Sequence, residues 1–212
     1  MKWRWKIAQA AEIRWWKQYL KKQTPTAYLE NKKNYWQGVL NELSISVSPQ
    51  HAILDAGCGP AGIFIHFPNQ RVDAVDPLLE AYAKELPHFD PKKYPKTRFF
   101  CAPLENWDAP QKYDFVFCLN AINHVENLEK SLDVIVNAVD KKGTLVISID
   151  AHNHWLMKKI FQALPGDILH PHQYDLQEYQ KMLELRNGQL LLTKCLKKGF
   201  LFNYYALIVQ FS

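Results

Sequence analysis

From residue 51 onward, short apolar and β-branched runs alternate with segments whose apolar residues recur at helical spacing. This is the pattern of an α/β domain with a mainly parallel sheet. His51–Asp55 predicts a first strand, Arg71–Asp76 (RVDAVD) a second, Thr97–Ala102 (TRFFCA) a third, Tyr113–Leu119 (YDFVFCL) a fourth and Thr144–Ile149 a fifth. A helix is expected to begin at Pro60, because proline suits a first helical position, where its missing N–H would have no partner anyway. Pro77 is expected to open another over PLLEAYAKEL. Leu128, Leu132, Ile135, Val136 and Val139 share a helical face, and Gly143 is expected to end that helix in a left-handed cap.

Past the fifth strand the pattern predicts a helix near 153–164, a loop over 165–174, and a helix running to about Leu185. The last of these opens with capping-box spacing at Asp175-Leu-Gln-Glu178. Gln189–Leu196 and Tyr204–Phe211 read as two strands joined through Lys197-Lys198-Gly199, an antiparallel ending to the sheet. Residues 1–44 predict two helices broken near Thr24-Pro25-Thr26, a helical cap in front of a domain over 45–212. At 100° per residue, Trp5, Ala8, Glu12, Trp15, Trp16 and Tyr19 share one face of the first helix.

Composition narrows the class. A chain of 212 residues, 48% hydrophobic and 22% charged, suits one globular domain with a small addition. No run reaches the roughly 20 apolar residues of a membrane-spanning helix. The basic N-terminus lacks the apolar core and cleavage site of a secretory signal, so a cytoplasmic protein is expected. Cys58, Cys101, Cys118 and Cys195 are scattered and form no C-x-x-C pair, which points to neither a disulfide framework nor a structural zinc site. Charge is uneven: residues 1–36 hold nine Lys/Arg against Glu12 and Glu30, together with five of the seven tryptophans.

Three of only eight glycines fall in Leu54-Asp55-Ala56-Gly57-Cys58-Gly59-Pro60-Ala61-Gly62, a G-x-G-x-x-G spacing. The spacing alone is weak, but here it follows a predicted strand, precedes a predicted helix and is succeeded by an acid closing the next strand, which makes it a nucleotide site. LDAGCGPAG, with VDAVDP, FFCAPLENW and YDFVFCLNAINHV, resembles the class I S-adenosylmethionine-dependent methyltransferase family across about residues 51–212. The resemblance implies a Rossmann-like sheet of seven strands, mostly parallel with an antiparallel C-terminal strand and helices on both faces, to which the pattern over residues 1–44 adds an N-terminal helical cap. It implies S-adenosyl-L-methionine as cofactor and S-adenosyl-L-homocysteine as product.

By that resemblance the methionine portion lies on Asp55, Ala56, Gly57, Cys58 and Gly59. Glycines let the backbone approach closely, and a helix N-terminus behind them would offer N–H groups to a carboxylate. Asp76, followed by Pro77, is placed to accept from both ribose hydroxyls, whereas Asp73 reads as structural or exposed. Leu104 and Glu105 would edge the adenine, although Pro103 stands where the family often has Asp, and Asn120 stands where the family holds the methionine amine.

For the acceptor the sequence leaves readings open. His124 is a candidate general base at the carboxyl edge of the sheet, or packs beneath the next helix. Asn123, His152 and His170 are candidates for a polar acceptor pocket. His152-Asn-His154 and His170-Pro-His172 carry little weight as a metal site without a carboxylate cluster, so no metal is expected. The aromatic face either packs on the domain with Glu12 paired to lysine or arginine, or forms a lid. In a lid, Glu12, Trp15, Trp16 and Tyr19 would receive a flat or amine-bearing acceptor. A small-molecule acceptor on O, N or S is expected. Open alternatives are a nucleic-acid acceptor using the basic Trp-rich segment, peripheral membrane contact and a non-catalytic cofactor-binding protein. Against nucleic acid, Asn-Ala-Ile-Asn replaces the Pro-Pro-aromatic motif of nucleobase amino-methylating enzymes. A nicotinamide dehydrogenase is a weaker rival, since nothing after residue 150 is large enough for a separate substrate domain.

Overall fold

Seven strands, β1 (Ile53–Ala56), β2 (Val72–Val75), β3 (Thr97–Phe100), β4 (Tyr113–Cys118), β5 (Val139–His152), β6 (Gly188–Lys197) and β7 (Phe202–Phe211), form one sheet of order β3-β2-β1-β4-β5-β7-β6. The structure is a computed structural model describing residues 2–152, 172 and 174–211, with side chains described from Gln9 onward. The predicted helix over 153–164, His154, His170, and the side chains of Trp5 and Ala8 lie outside this description. β1 runs parallel to β2 and β4, β2 to β3, and β4 to β5, while β7 is antiparallel to both β5 and β6. This is the Rossmann-like sheet with an antiparallel C-terminal strand. Its order reverses between β1 and β4, which opens a crevice at their carboxyl ends.

Alternation along the strands sends side chains to two cores. Ile53, Phe117 and Val146 face one layer, and Leu54, Val116 and Leu145 face the other. The first layer holds helices α1 (Lys2–Leu20), α2 (Pro25–Glu42) and α3 (Leu79–Glu85) through Ile13, Leu20, Tyr28, Trp36, Leu40 and Tyr82. The second holds α4 (Leu128–Ala138) and α5 (Leu176–Glu184) through Leu132, Ile135, Tyr179 and Leu183. The capping box stands where the sequence signals it and a cap stands at the expected break near Thr24, while the cap at Asn127 is read from the structure alone. Thr24 accepts from the Ala27 N–H with Pro25 in the first turn, Asn127 accepts from Lys130, and Asp175 and Glu178 exchange bonds of 3.0 and 2.8 Å in a capping box.

Three expectations are corrected. No α-helix begins at Pro60: two short 3-10 turns, Gly59–Ala61 and Ile63–His66, carry the chain instead. Ile63, Phe64 and Ile65 are all buried, so the segment has no polar face to turn outward. Pro68 also disfavours the helical conformation at Phe67, whose φ/ψ is −113/55. Gly143 is not a helix cap, because α4 ends at Ala138 and Val139 already pairs with Tyr113. The register then shifts before Phe115 meets Thr144, and a Cβ on Gly143 would come 2.6 Å from the Tyr113 carbonyl oxygen. Finally, the α1 face is split. Ile13 and Leu20 are buried and Glu12 and Trp16 half-buried, whereas Trp15 and Tyr19 are 54% and 46% exposed and stack on one another at 5.0 Å. Packing took the Ile13 side of the helix rather than the aromatic stripe.

Candidate functional site

The crevice is built by three turns leaving β1, β2 and β4. In the first, Gly57 and Gly59 have φ of +73° and +56°, a left-handed backbone that side chains disfavour. The N–H groups of Gly57 and Cys58 donate to the Val75 carbonyl of β2 at 2.8 and 3.1 Å. They are therefore spent within the fold, and with no α-helix behind the turn, the expected helix-terminus cradle for a carboxylate is absent. A Cβ on Gly57 would lie 2.3 Å from the Ala121 Cβ, so this glycine lets the post-β4 turn pack directly on the post-β1 turn. Leu104 sits at the same place, whereas a Cβ on Gly59 would meet nothing within 4 Å. Of the three glycines in the motif, Gly59 is the one that faces open space.

Asp76 closes β2 and is 7% exposed. Its two oxygens accept from the Gly59 N–H (3.0 Å) and the Leu78 N–H (2.8 Å), so one carboxylate ties the glycine turn to the start of α3. Each oxygen keeps a further lone pair. Asp55, 2% exposed, accepts from the Phe64 N–H at 2.9 Å and so holds the second 3-10 turn from beneath. Burial pushes both carboxyls up to about 7; for Asp76 the next cause is Glu12, and Asp76 in turn adds to the shift of Asp55.

Glu12 reaches this end of the crevice from α1. Its carboxylate accepts from the hydroxyl of Tyr82, a wholly buried α3 residue, at 2.8 Å and from the Trp16 indole at 3.3 Å. Its partners are thus a phenol and an indole rather than the lysine or arginine expected, and it stands by the β2 acid rather than by the β4 edge. Of the two readings open for Asp73, structural or exposed, the burial and partners fit the first: it is 3% exposed, bonded to Arg98 at 2.6 Å and to the Tyr113 hydroxyl at 2.6 Å. Tyr82 was not legible as a site residue, since within LEAYAKE it reads only as core.

The post-β4 turn carries the remaining candidates. Asn120 is exposed, with φ +57°, and its N–H donates to the Ser148 hydroxyl of β5 at 2.7 Å. Asn123 is corrected from acceptor contact to strut: it is 3% exposed and its amide bonds the Asp150 backbone (3.1 and 3.2 Å) and the Tyr179 hydroxyl (3.0 Å). His124 is exposed at the carboxyl edge, where its N–H bonds Ala121. His152 is buried against Phe202 at 4.3 Å, and His172 bonds the Val125 carbonyl at 2.7 Å. Glu105 is buried and accepts from Ser131 of α4 at 3.4 Å, directed into the fold, while Leu104 borders the glycine turn. Among the described residues, no three His, Cys, Asp or Glu side chains are grouped to hold a metal ion, and no helix is long and apolar enough to cross a membrane.

The raised carboxyls have a consequence for stability. An acid whose folded pKa exceeds its unfolded value binds its proton more tightly in the folded chain. Its contribution is therefore full below about pH 4 and is lost as pH rises through about 7. Asp55→Asn keeps an oxygen for Phe64 but never ionises. Its melting temperature relative to wild type is expected to increase from about pH 5 to about pH 8. A difference that stays constant across that range would overturn the assignment.

A mostly parallel sheet with a glycine turn after β1 and an acid closing β2 defines a nucleotide-binding α/β protein. Residues 28–192 match the methyltransferase domain family, and the chain belongs to it, as a class I S-adenosylmethionine-dependent methyltransferase family member. It is similar to the ubiquinone biosynthesis O-methyltransferase of Rickettsia bellii, with 31% identity over 98 residues, or 45% of this chain; the matched part spans 40% of that relative's length. Its fold is similar to that of the Burkholderia thailandensis 1,6-didemethyltoxoflavin-N1-methyltransferase, solved with 1,6-didemethyltoxoflavin and S-adenosylhomocysteine. That comparison has 13% identity and a TM-score of 0.59, covering 96% of this chain and 85% of the other. It is also similar in fold to an S-adenosylmethionine-dependent methyltransferase from Clostridium acetobutylicum, with 14% identity and a TM-score of 0.62, covering 86% and 92% of the two chains.

Proposed function

We propose that the protein transfers a methyl group from S-adenosyl-L-methionine to a small-molecule acceptor and releases S-adenosyl-L-homocysteine. The observation that carries this reading is the Gly59–Asp76 pair: an open, left-handed glycine whose N–H is held by the buried acid that ends β2. The residues present fit the nucleoside. Asp76 retains lone pairs for two ribose hydroxyls, Gly59 leaves room for close approach, Leu104 borders the turn, and Asn120 turns its backbone at the opposite wall. When bound, S-adenosyl-L-methionine supplies an activated methyl group on a cationic sulfonium. Asp76, Asp55 and Glu12 place three carboxyl groups at that end of the crevice, and a bound cation there would draw Asp76 and Asp55 toward their ionised forms.

The chain's own tasks are alignment and exclusion of water, with proton removal where the acceptor is a hydroxyl or ammonium. His124 is exposed at the carboxyl edge of β4, where an acceptor's proton would be released, and serves as the candidate base. The helices of residues 1–44 form a cap over the domain of residues 45–212. Glu12 closes the ribose end, and α2, tied through the Trp36 indole to the Ala61 carbonyl at 3.1 Å, covers the glycine turn. The ubiquinone biosynthesis O-methyltransferase is by name an enzyme of small-molecule chemistry, which supports an acceptor of that size.

Thermal melts with S-adenosyl-L-methionine, S-adenosyl-L-homocysteine and NAD test the reading. At about 100-fold excess over Kd a ligand adds about 2.7 kcal/mol, or roughly 5–10 °C for a chain of this length. Stabilisation by the first two and not by NAD is expected, followed by homocysteine-nucleoside release in an acceptor screen. A chain that ignores both sulfur nucleosides sinks it; binding with no turnover of any acceptor leaves a cofactor-binding protein.

A further inference from the structure

The Asn120 turn has a support that lies outside the glycine motif. Asn120 adopts a left-handed backbone, a region that asparagine tolerates better than most L-residues but that it still shares with competing conformations unless something holds it. Its N–H donates at 2.7 Å to the hydroxyl of Ser148, which is fully buried in β5, and Ser148 in turn shares a hydrogen bond of 2.7 Å with the hydroxyl of Tyr204 at the start of β7. Tyr204 stands opposite Asp150 in the β5–β7 register, and its phenol interacts with that of Tyr35 on α2. Burial, and then Tyr35, hold the Tyr204 phenol above its ordinary pKa, so it remains a neutral hydroxyl able to donate and accept at once.

The chain of hydroxyls matters because of what the turn touches. Ala121, the next residue, packs where Gly57 lacks a side chain, so a shift of the 120–121 backbone is transmitted to the post-β1 turn. We propose that Ser148 and Tyr204 are positioning residues, whose linked hydroxyls lock the post-β4 turn in its left-handed form and thereby set one wall of the cofactor crevice. Neither residue need touch the nucleoside; both act through Asn120. The inference rests on the crevice being the S-adenosylmethionine site proposed above.

The test measures S-adenosyl-L-homocysteine affinity by calorimetry and the hydrogen exchange rate of the Asn120 amide in wild type, Tyr204→Phe, Ser148→Ala and a Tyr205→Phe control. Tyr205 lies one position along β7 and bonds Asn203 instead. Tyr204→Phe is expected to weaken binding about 5-fold and Ser148→Ala about 10-fold or more, from the loss of one buried hydrogen bond or two. Exchange at Asn120 should accelerate in both, with Tyr205→Phe unchanged. The double variant should bind no worse than Ser148→Ala, because the two hydroxyls act as one unit. Should Ser148→Ala fail to fold, Tyr204→Phe carries the test alone. Wild-type affinity in a folded Tyr204→Phe, or unaltered Asn120 exchange, overturns the inference and leaves the proposed function standing. Absence of binding by the wild type overturns the proposed function itself.

Discussion

Replacing Asp76 with alanine is expected to weaken S-adenosyl-L-homocysteine binding by two to three orders of magnitude, the largest single loss available in the crevice. At about pH 8, where an acid held up to about 7 is ionised, the carboxylate would accept from two ribose hydroxyls, and hydrogen bonds to a charged group contribute about 1.5–3 kcal/mol each, with every 1.4 kcal/mol worth tenfold in Kd. The substitution also strips acceptors from the Gly59 and Leu78 N–H groups, which are bonded at 3.0 and 2.8 Å. A moderate fall in melting temperature is therefore expected with it. Circular dichroism establishes that the variant is folded, and calorimetry reads the affinity. A folded Asp76→Ala that binds within about threefold of wild type, far less than two charge-assisted bonds allow, would remove the acid from the site.

The second large effect falls on stability and separates two glycines of the same motif. A Cβ on Gly62 would lie 2.3 Å from the Asp55 carboxylate and 2.4 Å from the Cys58 carbonyl oxygen, and the latter is backbone that cannot step aside. Gly62→Ala is expected to cost about 3 kcal/mol or more, roughly 6–12 °C in melting temperature. Gly59→Ala meets no neighbour within 4 Å, so its structural cost is confined to the left-handed backbone, about 1–2 kcal/mol. Its methyl group would project into open space at the crevice, so its main effect is expected on nucleoside affinity. A Gly62→Ala protein that melts within about 2 °C of wild type would show that the turn is looser than its contacts state.

The first four strands were legible because each is short and bounded by turn residues, whereas β5 extends five residues before and three after the expected Thr144–Ile149. VDAV and YDFVFC name β2 and β4 almost to the residue. The glycine turn was legible for a different reason: left-handed positions and close approaches demand glycine, and Gly57 and Gly59 have positive φ while Gly57 and Gly62 have no room for a Cβ. Asp76 followed from its place at the end of a strand. The helix expected after Pro60 misled, because a proline and a run of apolar residues are compatible with either an α-helix or buried 3-10 turns. Asp55 and Pro68 decide between them only once Phe64 is inside.

Likewise the α1 wheel assigned Glu12, Trp15, Trp16 and Tyr19 one shared fate, although the sheet and α3 receive only part of that face. Glu12 meets Tyr82 across 70 residues and Ser148 meets Tyr204 across 56. Nothing local marks either pair, since buried tyrosines and serines serve as core in most strands and helices.

By itself the sequence determined where the strands lie along the chain, the glycine turn and the acid that follows it, because these depend on backbone conformation and side-chain alternation within a few residues. Only the tertiary structure decided which face of α1 is buried, that Asn123 is a strut, that Glu12 stands beside Asp76, and that Ser148 and Tyr204 hold Asn120. Those outcomes depend on which distant polar groups are enclosed together, where each must find a partner or remain unsatisfied away from water.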